Sequence, residues 1–336
     1  MSATIHESGL RTLIDGWLAS GKLVAAPVEV SGRLLYQRLK SSGEAVLGSR
    51  EHPANSIKQF LFPRHQALFR YRLNGKQVEL VDSADDTREQ IIVAARPCDA
   101  ASLPALDHIF NCDRKDAGFD EARQRTTVIA LACNSHDEAC FCTSVGLGPA
   151  SEAGADALLV DLGDTEFEVR VLTNKGRKLF EGHTGQGTRE APALEGPPRK
   201  FDVEAIQQFL ADGFDNPLWA EESVGCLGCG VCAYTCPACH CFDMVDEGNA
   251  AGGERVRNWD SCQFQLFTQH ASGHNPRATQ SQRQRQRIYH KFSIYPERFG
   301  ALLCTGCGNC ARNCPAGLGV LRLIEKIDAR VRQQHV

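Results

Sequence analysis

The chain has 336 residues, of which 42% are hydrophobic, and it carries a net charge of -4. This length favours two domains with a sizeable core, and the weakly acidic balance excludes a protein that binds nucleic acid through a global basic field. The first residues show no signal-peptide pattern, and no apolar run is long enough to span a membrane. The 16 cysteines therefore indicate metal sites in a reducing cytoplasm rather than disulfides.

The N-terminal part of the chain predicts a helix followed by two hairpins. Residues 1–20 carry apolar side chains at helical spacing, which predicts a short amphipathic helix. Residues 22–39 predict two strands joined by a Ser-Gly turn. Residues 69–81 alternate apolar and polar side chains around Asn74 and Gly75, a pair that favours a type I′ turn.

Two short apolar runs, residues 90–95 and 126–132, predict the central strands of a sheet. Continuous apolar sequence is typical of strands that are buried on both faces. Cys98 follows the first run and Cys133 follows the second, so both are expected at the carboxyl edge, where open α/β sheets build their sites. Asp99 is the predicted N-cap of the helix that follows the first strand.

Further cysteines follow on the loop after the second of these strands. We therefore predict an iron–sulfur site, called here the N-terminal set, made by Cys98, Cys133, Cys140 and Cys142. The spacing of these residues matches no standard motif. Zinc ligands and buried, inert cysteines remain the two alternatives. Cys112 lies outside the set and is interpreted as a structural residue.

The second half of the chain begins after a Gly/Pro-rich segment. Residues 157–172 predict one more pair of strands, and the polar segment 182–200 predicts a domain boundary. We expect an α/β (α+β) N-terminal domain with a central sheet over residues 1–195. An α-helical, ferredoxin-like dicluster domain is expected over residues 196–336.

Two copies of the pattern C-x₂-C-x₂-C-x₃-C-P dominate this second domain. The spacing is that of cubane iron–sulfur sites, in which the fourth cysteine of one run ligates the cluster of the other run. The predicted first set is Cys226, Cys229, Cys232 and Cys314, and the predicted second set is Cys304, Cys307, Cys310 and Cys236. Structural zinc is the alternative, but it usually needs two C-x₂-C pairs for each ion, and this pattern does not supply them.

The long spacer between the two motifs contains helical patterns over residues 263–270 and 279–292. These patterns favour helices as the support of the clusters. Three more cysteines of the spacer are interpreted as packing residues near the clusters, with cluster ligation as the alternative, namely Cys239, Cys241 and Cys262. The basic residues between 277 and 291 are interpreted as a solvated helix face, and a docking surface for an acidic redox partner is the alternative.

Several phrases of the sequence resemble one family when they are taken together. They are Phe60-Leu-Phe-Pro63, Arg96-Pro-Cys-Asp99, Cys140-Phe-Cys-Thr-Ser144, Cys236-Pro-Ala-Cys-His-Cys-Phe-Asp243, Trp259-Asp-Ser-Cys262, Gly273-His-Asn-Pro-Arg277 and Arg287-Ile-Tyr-His-Lys-Phe292. With the two cysteine motifs, they resemble the iron–sulfur (beta) subunits of cytosolic sulfhydrogenases and the A subunit of anaerobic sulfite reductase. The resemblance implies an electron-relay subunit that works beside a flavin- and NAD(P)-binding subunit and a separate catalytic subunit.

The predicted function follows from what the chain carries and what it lacks. The cysteine sets predict two [4Fe–4S] clusters and a third. No dinucleotide fingerprint or P-loop occurs in the sequence, so we expect no flavin or nucleotide to be bound directly. The expected role is non-catalytic electron transfer in a cytoplasmic hydrogenase or sulfite/sulfur reductase complex. A stand-alone iron–sulfur reductase that acts on a disulfide or sulfur substrate is the alternative, and a structural zinc or nucleic-acid module is the third hypothesis.

Overall fold

The computed structural model describes residues 2–48, 51–81 and 86–334. The strands of this part of the chain are β1 (Ser2–His6), β2 (Leu23–Val30), β3 (Arg33–Arg38), β4 (His65–Asn74), β5 (Gln77–Val81), β6 (Gln90–Ala95), β7 (Thr126–Leu131), β8 (Ala157–Gly163), β9 (Glu166–Val171), β10 (Gly185–Gly187), β11 (Phe242–Asn249) and β12 (Gly252–Trp259).

The helices begin and end as follows: α1 (Glu7–Ala19), α2 (Pro97–Ala100), α3 (Leu103–Phe110), α4 (Ala117–Arg125), α5 (Asn174–Phe180), α6 (Val203–Asp212), α7 (Leu218–Ser223), α8 (Val231–Tyr234), α9 (Gln280–Tyr289), α10 (Tyr295–Phe299), α11 (Asn309–Arg312) and α12 (Val320–Gln334). A π-helical turn over His290–Ile294 joins α9 to α10. Across residues 2–48, 51–81 and 86–334, no helix combines the length and the apolar character that a bilayer crossing requires.

A large mixed sheet forms the N-terminal half, as expected for an α/β domain. The strand order is β10-β1-β9-β8-β7-β6-β2-β3. The four strands β8, β7, β6 and β2 run parallel, and the remaining pairs are antiparallel. The two apolar runs of the sequence are therefore β6 and β7, which are parallel neighbours at the centre of the sheet.

The central strands are apolar throughout because both faces of the sheet are covered. Ile91 of β6 packs into one hydrophobic cluster with α1, whereas its neighbour Ile92 packs into a second cluster with α3 on the other face. In β7, Ile129 packs into the first of these clusters and Val128 into the second. Successive side chains of a strand point to opposite faces, so a strand that is covered twice needs apolar residues at every position.

A second, antiparallel sheet joins the two halves of the chain. Its order is β11-β12-β4-β5, so strands from the spacer between the cysteine motifs pair with the hairpin predicted over residues 69–81. The expectation that helices alone support the spacer is wrong on this point, because β11 and β12 form a hairpin inside it. The sheet crosses the boundary predicted at residues 182–200.

Three local predictions also differ from the structure. The turn between β4 and β5 is centred on Gly75 and Lys76, since Asn74 still pairs with Gln77, and only the glycine of the two has a positive φ. Residues 263–270 form turns and no helix. Asp99 lies within α2 rather than before it.

The side chain of Asp99 is buried and makes a contact far from the helix terminus. The residue has no exposed surface, and its Oδ2 accepts a hydrogen bond of 2.9 Å from the hydroxyl of Tyr36. Burial raises the pKa of this carboxyl to about 7. The side chain is thus committed to a tertiary contact and does not cap the helix.

Candidate metal centres

The first set of cysteines comes together from two distant parts of the chain. Cys226, Cys229 and Cys232 lie on the loop before and inside α8, and Cys314 follows α11. All four line a single cavity. Gly230 has a φ of 73°, which starts α8 and lets the loop turn around this cavity.

Hydrogen-bond donors surround the sulfurs of the first set. The Nε2 atoms of Gln280 and Gln284 donate to Sγ of Cys226 over 3.2 and 2.9 Å. The backbone N–H of Leu318 donates to Sγ of Cys314 over 3.3 Å. Donors of this kind stabilise negative charge on sulfur, and in iron–sulfur sites they tune the reduction potential.

The second set places Cys236 among the cysteines of the other motif. Burial raises the pKa of Cys304 to about 11, Lys291 opposes this shift, and the Cys236 thiolate adds to it. Burial likewise raises the pKa of Cys307, and the charge of Cys236 is the largest contribution after burial. Cys236 is therefore close to both residues. The crossed assignment of the eight cysteines stays a prediction, which ligand replacement can test.

The N-terminal set also lines one cavity. Cys98 is the second residue of α2, shortly after β6, Cys133 follows β7, and Cys140 and Cys142 lie on the next loop. Because β6 and β7 are parallel neighbours, the two strand ends deliver Cys98 and Cys133 to the same edge. Cys112 lies elsewhere and is exposed, so it has no role in the core.

The N-terminal set is in direct contact with the loop of the second set. Cys307 lines the same cavity as the four N-terminal cysteines. The backbone N–H of Phe141 donates to the carbonyl oxygen of Gly306 over 2.9 Å. Arg312 binds the Asp137 carboxylate and donates from Nη2 to Sγ of Cys140 over 3.0 Å. The two loops thus form one packed unit.

Buried cations lie between the sets, and the sequence interpretation missed them. Arg283, Arg287 and Lys291 are only 8%, 2% and 2% exposed, so the interpretation of residues 277–291 as a solvated face is wrong for these three. Lys58 is also 2% exposed; its Nζ donates to the carbonyl oxygens of Ala233 and Cys239. A basic helical pattern gives no signal of this burial, since charged residues normally face solvent.

Lys291 is charged because sulfur surrounds it. Its Nζ lies 3.4 Å from Sγ of Cys236 and 2.9 Å from the carbonyl oxygen of Leu303. Burial alone would lower the pKa of Lys291, but the Cys236 thiolate, followed by the sulfur of Cys239, raises it well above the usual value. The Cys239 thiol in turn hydrogen-bonds to Cys236.

Arg287 lies between the first and the second set. Burial lowers the pKa of the Arg287 guanidinium, but the nearby sulfurs of Cys232 and Cys310 raise it by more. Among the residues that the structure describes, none of its three guanidinium nitrogens has a hydrogen-bond partner. A buried, unpartnered guanidinium is costly, and an anionic group held by the adjacent thiolates would compensate it.

These residues fit iron–sulfur clusters in the chemistry of their donors. Each set offers four thiols, and donors to sulfur or buried cations lie nearby. Within the described ranges, no three His, Cys, Asp or Glu side chains form a group that could hold a single metal ion. A cubane does not need such a convergence, because each of its cysteines binds a different iron.

Comparison with known proteins supports this chemistry. Residues 225–318 match the family model described as a 4Fe-4S dicluster domain. The chain is 27% identical over 317 residues to sulfhydrogenase 2 subunit beta of Pyrococcus furiosus, an alignment that covers 90% of this chain and 92% of the relative. No solved structure matches the chain significantly. The resemblance to the iron–sulfur beta subunits of sulfhydrogenases is thereby confirmed.

Proposed function

We propose that this chain is the electron-relay subunit of a cytoplasmic hydrogenase-type or sulfite-reductase-type complex. It passes electrons between a flavin- and NAD(P)-binding subunit and a separate catalytic subunit, and it performs no bond chemistry in that role. The dicluster match and the similarity to a protein named as a subunit support this proposal. The absence of a nucleotide fingerprint from the sequence agrees with such a division of labour.

The contiguity of the three cysteine sets is the observation that carries the proposal. Cys232 of the first set and Cys310 of the second set both lie near the buried guanidinium of Arg287. Cys307 of the second set lines the cavity of the N-terminal set. The three sets are therefore neighbours in space, and this proximity supports single-electron transfer through the subunit.

Each set is assigned one cluster under this proposal. The first and second sets hold the two [4Fe–4S] clusters of the dicluster domain, and the N-terminal set holds a third. When bound, such clusters accept and release one electron at a time. The residues around them set the potential: Gln280 and Gln284 donate to the first set, Lys291 to the second and Arg312 to the N-terminal set.

Replacing Cys140 or Cys142 by serine tests the N-terminal assignment. We expect each variant to lose about four irons per chain, because a cubane that lacks one thiolate is released or degraded. Iron and acid-labile sulfide are measured on anaerobically purified protein. Cys112→Ser is the matched control, since Cys112 is exposed and lies outside the three sets. Unchanged iron in the Cys140 and Cys142 variants would mean that the set consists of buried cysteines without a cluster. Zinc without sulfide would support the zinc alternative.

The relay role is tested by anaerobic purification of the native complex and identification of its subunits. We expect the isolated chain to show iron–sulfur absorption that NAD(P)H alone does not bleach. Addition of the flavin-containing partner should produce reduction. If instead the isolated chain, supplied with an artificial electron donor, reduced a disulfide or sulfur substrate at the rate of the complex, the stand-alone reductase would be the better description.

A further inference from the structure

Cys241 and Cys262 belong to none of the three sets and lie against one another. Cys241 precedes β11, and Cys262 follows the end of β12 by three residues. The pairing of Phe242 with Trp259 closes the hairpin at this end, and the backbone N–H of Asp260 donates to the carbonyl oxygen of Cys241 over 3.0 Å. This geometry brings the two thiols into hydrogen-bond contact. The sequence interpretation of both residues as simple packing missed this pairing.

The surroundings of the two thiols are unequal. Gln263 donates from Nε2 to Sγ of Cys262 over 3.4 Å, and Arg287 adds positive charge near the same sulfur. The hydrogen bond from Cys241, followed by these two groups, lowers the pKa of Cys262 to about 6 against the effect of burial. An attacking thiolate beside a protonated partner is the arrangement found in reactive dithiols.

The location of the pair suits exchange of both electrons and protons. Gln263, which donates to Sγ of Cys262, accepts a hydrogen bond of 3.0 Å from Nε2 of Gln280, and Gln280 also donates to Sγ of Cys226 over 3.2 Å, so a chain of hydrogen bonds joins the pair to the first set. Cys241 and Cys262 are half-buried residues, whereas Cys232 of the first set is buried. The pair therefore lies between the proposed relay and the surface.

We propose that Cys241 and Cys262 form a redox-active dithiol–disulfide couple coupled to the first set. On oxidation, the S–S bond forms between the Cys262 thiolate and the sulfur of Cys241, the proton of the Cys241 thiol passes to solvent, and the two electrons would leave one at a time through the iron–sulfur centre that the first set would hold. Reduction reverses each step. The couple stores two electrons beside centres that carry one each. This inference rests on the proposed relay, because the relay supplies and removes the electrons.

The first test is peptide mapping of the anaerobically purified holoprotein after mild oxidation with diamide. We expect a disulfide-linked peptide that joins Cys241 to Cys262 and disappears after reduction. The Cys241→Ser and Cys262→Ser variants should lack it and keep the iron content of the unmodified chain, while Cys112→Ser should form it normally. Absence of the cross-link in the unmodified chain overturns the proposal. Loss of iron in either serine variant also overturns it, because the two residues would then be cluster ligands.

The second test separates this inference from the relay itself. A coulometric reductive titration of the oxidised holoprotein should take up two more electrons per chain than the same titration of Cys241→Ser or Cys262→Ser. If the unmodified chain shows normal cluster signals but does not take up the two additional electrons, the dithiol couple is overturned and the relay proposal is unaffected. A native preparation that contains no iron or sulfide contradicts the relay, and the dithiol couple fails with it.

Discussion

Replacement of Cys314 by serine is expected to remove the metal centre of the first set and to leave the second set loaded. Cys314 lines the cavity that contains Cys226, Cys229 and Cys232, although it lies in the other motif. Loss of its thiolate leaves one iron without a protein ligand, so we expect about four irons fewer per chain. Cys236→Ser should have the converse effect, because Cys236 lies close to Cys304 and Cys307.

The identity of the lost centre decides whether the crossed assignment is correct. Electron paramagnetic resonance spectra of the reduced variants provide the comparison. Cys314→Ser and Cys226→Ser should lose the same signal, whereas Cys236→Ser and Cys304→Ser should both lose the other. If Cys314→Ser matched Cys304→Ser instead, each motif would hold its own cluster with four consecutive cysteines.

Replacement of Gly308 by alanine is expected to separate the second set from the N-terminal set. Gly308 has a φ of 75°, and an added Cβ atom would lie 2.4 Å from the carbonyl oxygen of Ala139. Ala139 directly precedes Cys140, so relief of this clash must move the loop that carries the N-terminal cysteines. We expect a loss of about 1–2 kcal/mol from left-handed strain and about 1–3 kcal/mol more from overpacking.

Gly317→Ala provides the matched control for this experiment. Gly317 has a similar φ of 65°, but an added Cβ atom meets nothing within 4 Å. The control should therefore show the strain alone. Chemical denaturation gives the free energies of unfolding, and iron analysis reports the N-terminal centre. Equal destabilisation of the two variants, with full iron in both, would contradict the close packing of the two loops.

Much of the chemistry could be predicted from local sequence. The cysteine motifs depend on a spacing of two and three residues, which a short loop either satisfies or does not. The central strands β6 and β7 were equally predictable, because a strand covered on both faces needs continuous apolar sequence. The positions of Cys98 and Cys133 followed from the strands, since parallel neighbours end at one edge.

Long-range contacts were not predictable in the same way. The hairpin of β11 and β12 pairs with β4, which is far away in the sequence. The polar sequence of the spacer carries no strong strand signal, and a local pattern cannot specify so distant a partner. The buried cations are the clearest case. Arg287 and Lys291 lie in a stretch whose local pattern is that of a solvated helix, and only the thiolates that surround them in space explain their burial.

Local sequence was enough to predict the kind of chemistry, because cubane ligands follow one another at short, fixed spacings along the chain. The proximity of the three cysteine sets became visible only in the folded chain. Three features join residues from separate segments. They are the contact of Phe141 with Gly306, the position of Arg287 between the first and second sets, and the pairing of Cys241 with Cys262. Such contacts depend on the packing of whole elements, and no local pattern of residues specifies them.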